Sequence, residues 1–240
     1  MSENVLITGA SRGIGRAIAE GLAKEGYNLS LVCRQQTGKL ADYAAYLTEA
    51  YKIKVQAFQA DLSSEKEVQK LCRILPEIDI CVNNAGISYT GLLQDMSAED
   101  WHRVLDTNLS SVFYLCRALI PSMITKQSGR ILNISSVWGD HGASMEVAYS
   151  ASKGGLNAFT KALAKELAPS HICVNALACG YIDTEMNSEY TAEDVEAICE
   201  EIPMGRIGAP AEVAKAAVHI LTMPEYMTGQ IITLDGGWVL

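Results

Sequence analysis

Tyr149 and Lys153 stand four positions apart in a stretch of helical spacing, which puts a phenol and an ammonium on one helix face. A free tyrosine ionises at about pH 10, too high for easy proton exchange at neutral pH, and a neighbouring cation would favour the phenolate. Such a pair arises easily by chance, so it needs company. Ser136 supplies it, a hydroxyl at the end of an apolar run thirteen residues before Tyr149. It can hydrogen-bond a carbonyl oxygen as negative charge develops there. Ser135 alternates with it and would point to the other face of the strand. Together these residues predict acid–base chemistry at a carbonyl or alcohol.

A second group would hold an anion. The run Thr8-Gly9-Ala10-Ser11-Arg12-Gly13-Ile14-Gly15 follows a strand-like segment and opens a helix. Glycines there let the turn tighten and bring backbone N–H groups close to a pyrophosphate at the helix N-terminus. The contacts expected on this turn are Gly9, Ser11, Arg12, Gly13, Ile14 and Gly15. The second strand ends Leu31-Val32-Cys33-Arg34, without the carboxylate that would bind NAD ribose hydroxyls. Arg34, with Arg12, would instead accept the extra phosphate of NADPH. Asp61 and Leu62 after the third strand would meet the adenine, and Asn84, Ala85 and Gly86 end the fourth.

The elements that must position these groups alternate. Strands are expected at Asn4–Thr8, Leu29–Cys33, Ile53–Gln59, Ile78–Val82, Arg130–Ser135, Ile172–Leu177 and Ile231–Leu234. Helices fall between them at Ile14–Glu25, Leu40–Tyr51, Ala98–Lys126, Ala148–Leu167 and Ala211–Leu221, with another begun by a capping box of Ser64 and Glu67. The pattern predicts an α/β fold, a Rossmann-type doubly wound parallel sheet of about seven strands with helices on both faces, in one domain over residues 1–240. Asp183–Pro203 is a polar, acidic insertion, expected to form a lid beside the carboxyl ends of the strands and reaching to about residue 205.

Composition narrows the partners. With 19 Lys+Arg against 28 Asp+Glu the net charge is -9, which argues against nucleic acid. No apolar run is long enough to span a membrane, and Met1-Ser2-Glu3-Asn4 leads directly into a strand rather than a signal peptide. The seven cysteines never form Cys-x-x-Cys. Cys33, Cys81 and Cys173 lie in apolar runs, as buried thiols of a cytoplasmic protein would. The four histidines lack metal-ligand spacing, so no metal is expected, and His141 reads as a solvated loop residue.

These motifs, with Asn108 and the closing Asp235-Gly236-Gly237, resemble the short-chain dehydrogenase/reductase family across the whole chain. The resemblance implies a Rossmann fold, a homotetramer, and hydride transfer between a nicotinamide cofactor and a carbonyl or alcohol. It implies that Tyr149 is the general acid/base and that Lys153 lowers its pKa and holds the ribose. Ser136 would polarise the carbonyl, Asn108 would position a water in a proton relay, and Ile182 and Thr184 would contact the nicotinamide end. The chain departs from the family in carrying Cys179-Gly180 where Pro-Gly is common, which would loosen the backbone ahead of Thr184.

Two subgroups fit. Gly205-Arg206-Ile207-Gly208 and Thr228-Gly229-Gln230 are similar to 3-oxoacyl-acyl-carrier-protein reductases. Ser135-Ser136-Val137-Trp138-Gly139, Glu146-Val147 and Gly237-Trp238 are closer to reductases of the 5-aminopentanone group on a lysine of elongation factor P. The substrate is therefore expected to be a ketone carried on acyl carrier protein or elongation factor P. A non-catalytic NADP-binding regulator is the reading from another class. Between Lys165 and Arg206 there are nine carboxylates and no lysine or arginine. Glu185, Glu189 and Glu193 are expected to attract an amine and repel an acidic carrier. Two positions where the family places carrier-docking arginines hold Gln127 and Ser170.

Overall fold

The computed structural model describes residues 3–188 and 190–239. Seven strands form one parallel sheet: β1 (Asn4–Thr8), β2 (Asn28–Cys33), β3 (Val55–Gln59), β4 (Ile80–Asn83), β5 (Gly129–Ser136), β6 (Ile172–Cys179) and β7 (Ile231–Leu234), in the order β3-β2-β1-β4-β5-β6-β7. Helices α1 (Gly13–Lys24), α2 (Thr37–Tyr51), α3 (Glu65–Ile74), α4 (Ala98–Leu105), α5 (Ser111–Lys126), α6 (Trp138–His141), α7 (Val147–Leu167), α8 (Ala192–Glu201) and α9 (Pro210–Thr222) complete it. β1 pairs with both β2 and β4. The chain order therefore reverses beside β1, and a doubly wound sheet opens its crevice at that point.

Strand alternation distributes the core. Val5 and Ile7 of β1 pack with Ile18 and Leu22 of α1, Leu40 and Leu47 of α2, and Val213 and Ile220 of α9 on one face. Leu6, between them, joins Leu71 of α3, Leu115 of α5 and Leu156 and Leu163 of α7 on the other. Both faces are apolar because both are covered.

Three local expectations change. The helix expected over Ala98–Lys126 is interrupted by a wide π-turn, Asp106–Ser110. Asn108 sits in that turn with its amide committed sideways: Oδ1 accepts from Ile87 N at 2.9 Å, and Nδ2 donates to Ile87 O at 2.9 Å. Such distended turns mark places where a helix gives up regularity to aim a residue. At α3 only half of the expected capping box forms. Ser64 accepts from Glu67 N at 3.4 Å, while the Glu67 carboxylate turns to Lys70. The segment expected as a lid contains a 3-10 turn, Glu185–Asn187, and α8.

Candidate active site

A cleft of about 1030 Å³ runs along the carboxyl ends of the strands. Every site residue expected from the sequence lines it, except Gly15 and Asn108. Those two act from behind the wall. A Cβ on Gly15 would lie 2.4 Å from both Asn84 Nδ2 and Gly9 O, so the missing side chain lets the two loops touch. Asn108 holds Ile87, which lines the cleft, and donates to Ser152 Oγ at 3.0 Å. Both faces of its amide are thus occupied by protein, so any water it places must use another atom.

The glycine turn is held by Thr8, whose role sequence reasoning passed over, and by Asn84. Thr8 Oγ1 accepts from Asn84 N and Ala85 N, each at 2.9 Å, while Asn84 Nδ2 donates to Thr8 O at 2.9 Å. These bonds tie together the ends of β1 and β4, which flank the crevice. Gly9 and Gly13 have φ of +65° and +52°, conformations that favour glycine. Arg12, the N-cap of α1, offers no side-chain cap, so the first N–H groups of that helix stay open to an anion. Thr184 Cγ2 would be 3.3 Å from a Cβ on Gly13, which brings the segment after β6 onto the turn.

At the far end of β2, Arg12 and Arg34 are exposed on the cleft wall and have no ion-pair partner among the described residues. Asp61 Oδ1 is taken by Ser63 N and Oγ, at 3.0 and 2.6 Å, which fixes its carboxylate at the cleft edge. A dinucleotide fits this wall. It offers an uncapped helix N-terminus, a glycine-shaped cradle and two unpaired guanidiniums at the place where an additional phosphate would sit.

The proton-handling group gathers on β5 and α7. Ser136 and Tyr149 line the cleft, and Lys153, only 4% exposed, donates from Nζ to Ile134 O at 2.8 Å. Ser135 turns away and donates to Asn157 Oδ1 at 2.6 Å. Lys153 Nζ lies 5.6 Å from the centre of the Tyr149 ring. The electrostatics differ from expectation. Burial raises the Tyr149 phenol, a hydrogen bond with Ser136 opposes that, and Glu146 and Cys179 push it further up. Lys153 does not offset this; burial lowers its own pKa to about 8.

Cys179 does not loosen the loop it opens. Its carbonyl accepts from Val137 N at 3.0 Å, Gly180 N donates to Leu234 O at 2.9 Å, and Ile182 is bridged to Gly208. The thiol is pushed up to about 12 by burial, against the pull of Lys153, so it stays protonated and unreactive. His141 is exposed at the end of α6 and does not line the cleft. Gln127 and Ser170 fall just before β5 and β6, at the amino ends of the strands and so opposite the cleft.

The other wall was not foreseen in detail. Trp138 and Trp238 meet edge to face with ring centres 4.8 Å apart. Trp238 Nε1 donates to Glu201 Oε2 at 3.2 Å, tying the segment after β7 to the end of α8. Asp235 bends that segment back by accepting from Gly237 N and Val239 N, both at 2.9 Å. Of the acidic insertion, Glu185 and Glu201 line the cleft, Glu193 does not, and Glu189 lies outside the described residues.

A doubly wound parallel sheet with a glycine turn at its crossover and a serine, tyrosine and lysine beside it defines a dehydrogenase-type chain. It belongs to the short chain dehydrogenase family, whose family model matches residues 3–195, and it is an oxidoreductase of a family that uses nicotinamide cofactors. An uncharacterized oxidoreductase of Bacillus subtilis, YmfI, is 42% identical over 99% of both chains. The 3-oxoacyl-[acyl-carrier-protein] reductase of Aquifex aeolicus is 40% identical over 97% of this chain and 95% of its own. A crystal structure of the 3-oxoacyl-[acyl-carrier protein] reductase from Brucella melitensis superposes with a TM-score of 0.93 at 34% identity, covering 99% of this chain and 92% of that one. The fold, and the family expected from the motifs, are as the sequence indicated.

Proposed function

We propose that this protein reduces a ketone to a secondary alcohol with NADPH, in the manner of a 3-oxoacyl-acyl-carrier-protein reductase. The observation that carries the reading is the meeting of Ser136 and Tyr149 with the glycine turn in one cleft, with Lys153 buried behind them. Gly9, Ser11, Gly13, Ile14, Asn84, Ala85 and Gly86 would hold the cofactor's centre, Asp61 and Leu62 its adenine, Ile182 and Thr184 its nicotinamide end. Arg12 and Arg34 would hold the phosphate that distinguishes NADPH from NADH. The reduced nicotinamide supplies the hydride. Tyr149 donates the proton that the carbonyl oxygen needs, Ser136 hydrogen-bonds that oxygen, and Lys153 sustains the ammonium behind the phenol. The π-turn at Asn108 keeps Ile87 and α7 in register through Ser152.

A second reading of the substrate is the 5-aminopentanone group on a lysine of elongation factor P. It is favoured by Glu146 and Glu201 on the substrate wall. A side-by-side assay of NADPH oxidation with an oxoacyl thioester and with an aminopentanone-bearing lysine peptide separates the two. Oxidation with neither, despite tight NADPH binding, would leave the regulator reading. We further propose one domain over 1–240, residues 183–205 acting as a lid, and a cytoplasmic homotetramer. The tetramer follows the family resemblance, α5 leaves Phe113 and Ile124 exposed at 43% and 40% for such a contact, and the protein's mass in solution tests it. No described helix is long and apolar enough to cross a membrane.

A further inference from the structure

Polar groups of α7 grip β5 at three consecutive strand residues. Asn133 Nδ2 donates to Thr160 Oγ1 at 2.8 Å, Lys153 Nζ donates to Ile134 O at 2.8 Å, and Ser135 Oγ donates to Asn157 Oδ1 at 2.6 Å. All of these residues are buried. Tyr149, Lys153 and Asn157 follow one another at four-residue spacing along α7, so they share a helix face. The tyrosine and the lysine line the cleft, and Asn157, one turn further along, does not.

The Asn157 amide is held at both of its ends. Oδ1 takes the Ser135 hydroxyl. Nδ2 lies beneath α6, where a Cβ on Gly139 would come within 2.8 Å of it and within 2.9 Å of Lys153 O. A Cβ on Gly154 would in turn lie 2.9 Å from Gly139 O, so two glycines bring the α6 backbone directly onto α7. Nδ2 is buried with no hydrogen-bond partner among the described residues. An unpaired buried N–H destabilises a fold, and a leucine of similar size would avoid it. What the amide contributes is therefore its oxygen, and that oxygen acts on Ser135.

Ser136 sits between these two contacts. On one side is Ser135, fixed by Asn157. On the other, Trp138 N donates to Ser136 Oγ at 3.2 Å, and the next residue, Gly139, rests on the Asn157 amide. We infer that Asn157 is a positioning residue: through Ser135 and Gly139 it sets Ser136 against Tyr149, so that both hydroxyls can meet one carbonyl oxygen. The inference rests on the ketone-reductase reading and adds to it a residue outside the cleft. Groups facing the Tyr149 phenol are Ser136, Glu146, Cys179 and Lys153. Among them the Ser136 hydrogen bond draws the phenol's pKa down, so a displaced Ser136 leaves Tyr149 a weaker acid.

The test pairs turnover with a signal that needs no substrate. Asn157→Leu, Ser135→Ala and the double variant are compared with the parent, and Thr160→Val serves as a control that breaks only the rung to Asn133. Isotope labelling of tyrosine at Cζ gives a magnetic-resonance signal for the Tyr149 phenol, assigned by its loss in Tyr149→Phe. Asn157→Leu and Ser135→Ala should each displace that signal in the direction that Ser136→Ala does. Thr160→Val should lower the melting temperature and leave the signal in place. With NADPH and a small neutral oxoester, kcat should fall about tenfold in either variant, while KM and NADPH affinity stay within about twofold of the parent. The double variant should fall no further than Asn157→Leu, because both changes break one bond. The alkaline fall in reduction should begin at higher pH in these variants, since the phenol holds its proton more tightly. An unmoved signal with parent-like kcat, or an equal displacement in Thr160→Val, would overturn the inference. If Asn157→Leu fails to fold, Ser135→Ala decides. A displaced signal in a protein whose parent reduces no ketone would instead sink the reductase reading and leave the positioning of Ser136 standing.

Discussion

The two ends of the cleft are built from different materials. The cofactor end is mostly backbone: a glycine turn, an uncapped helix N-terminus and strand ends tied by Thr8 and Asn84. The substrate end is mostly side chains, Trp138, Glu146, Glu201 and Trp238, drawn from four separate segments. Backbone recognition demands one fold and tolerates little change, whereas side-chain recognition can be rewritten without moving a strand. Relatives named for acyl-carrier substrates can therefore share the first end while differing at the second.

The largest expected effect lies where the ends meet. Tyr149→Phe removes the proposed proton donor and leaves the cofactor wall intact. Turnover should fall by roughly 10²–10⁴-fold while NADPH affinity stays close to that of the parent. Stopped-flow turnover beside a fluorescence titration checks this. A variant keeping a tenth of the parent rate would remove Tyr149 from the chemistry.

Lys153 should show the cost of that chemistry. Burial lowers its pKa from 10.5 to about 8, so the folded protein binds fewer protons than the unfolded chain between those values. Stability from this group therefore falls as pH drops through that window, and the penalty is complete below about pH 8. At pH 7 it amounts to about 3 kcal/mol, less the bond to Ile134 O. Lys153→Met should abolish most turnover yet melt at higher temperature than the cofactor-free parent, by a margin that narrows as pH rises toward 10. A destabilised variant at pH 7 would show that the Ile134 bond outweighs desolvation.

Arg34 tests the cofactor end alone. Arg34→Ala should weaken NADPH binding by about 1.5–3 kcal/mol, tenfold or more, and leave NADH almost unchanged. Equal use of both cofactors by the parent would remove the phosphate from the account of this wall.

The same division explains what the sequence disclosed. Local backbone needs leave local marks: glycines at 9, 13 and 15, apolar strand runs, and Tyr149 four residues before Lys153 could all be read directly. The π-turn at Asn108 could not, because Ala98–Lys126 has continuous helical spacing and the turn's Asn108 is bonded to Ile87, 21 residues away. Nor could the sign at Tyr149. Spacing predicted help from Lys153, but burial governs the phenol, opposed by the Ser136 hydrogen bond and with Glu146 adding less, and depth is a property of the assembled fold. In the acidic run after Asp183, nothing local distinguishes Glu201, which meets Trp238 at the cleft, from Glu193, which does not line it.

The smallest effect expected is also the sharpest probe of how separate the two ends are. Thr191 caps α8: its Oγ1 accepts from Asp194 N at 3.2 Å, while Asp194 Oδ2 accepts from Thr191 N at 2.8 Å. Thr191→Ala removes the hydroxyl half of this box, leaves the backbone N–H bond to Asp194 in place, and should loosen the helix by about 1 kcal/mol. Because α8 ends at Glu201, the loosening reaches Trp238 through a single bond. Hydrogen exchange over 192–201 should quicken about fivefold. NADPH affinity should hold, since the insertion touches the glycine turn through Thr184, before the broken cap. A matching loss of NADPH affinity would mean that residues 183–205 move as one body over both ends, and the division between a backbone-built and a side-chain-built end would no longer describe how the cleft works.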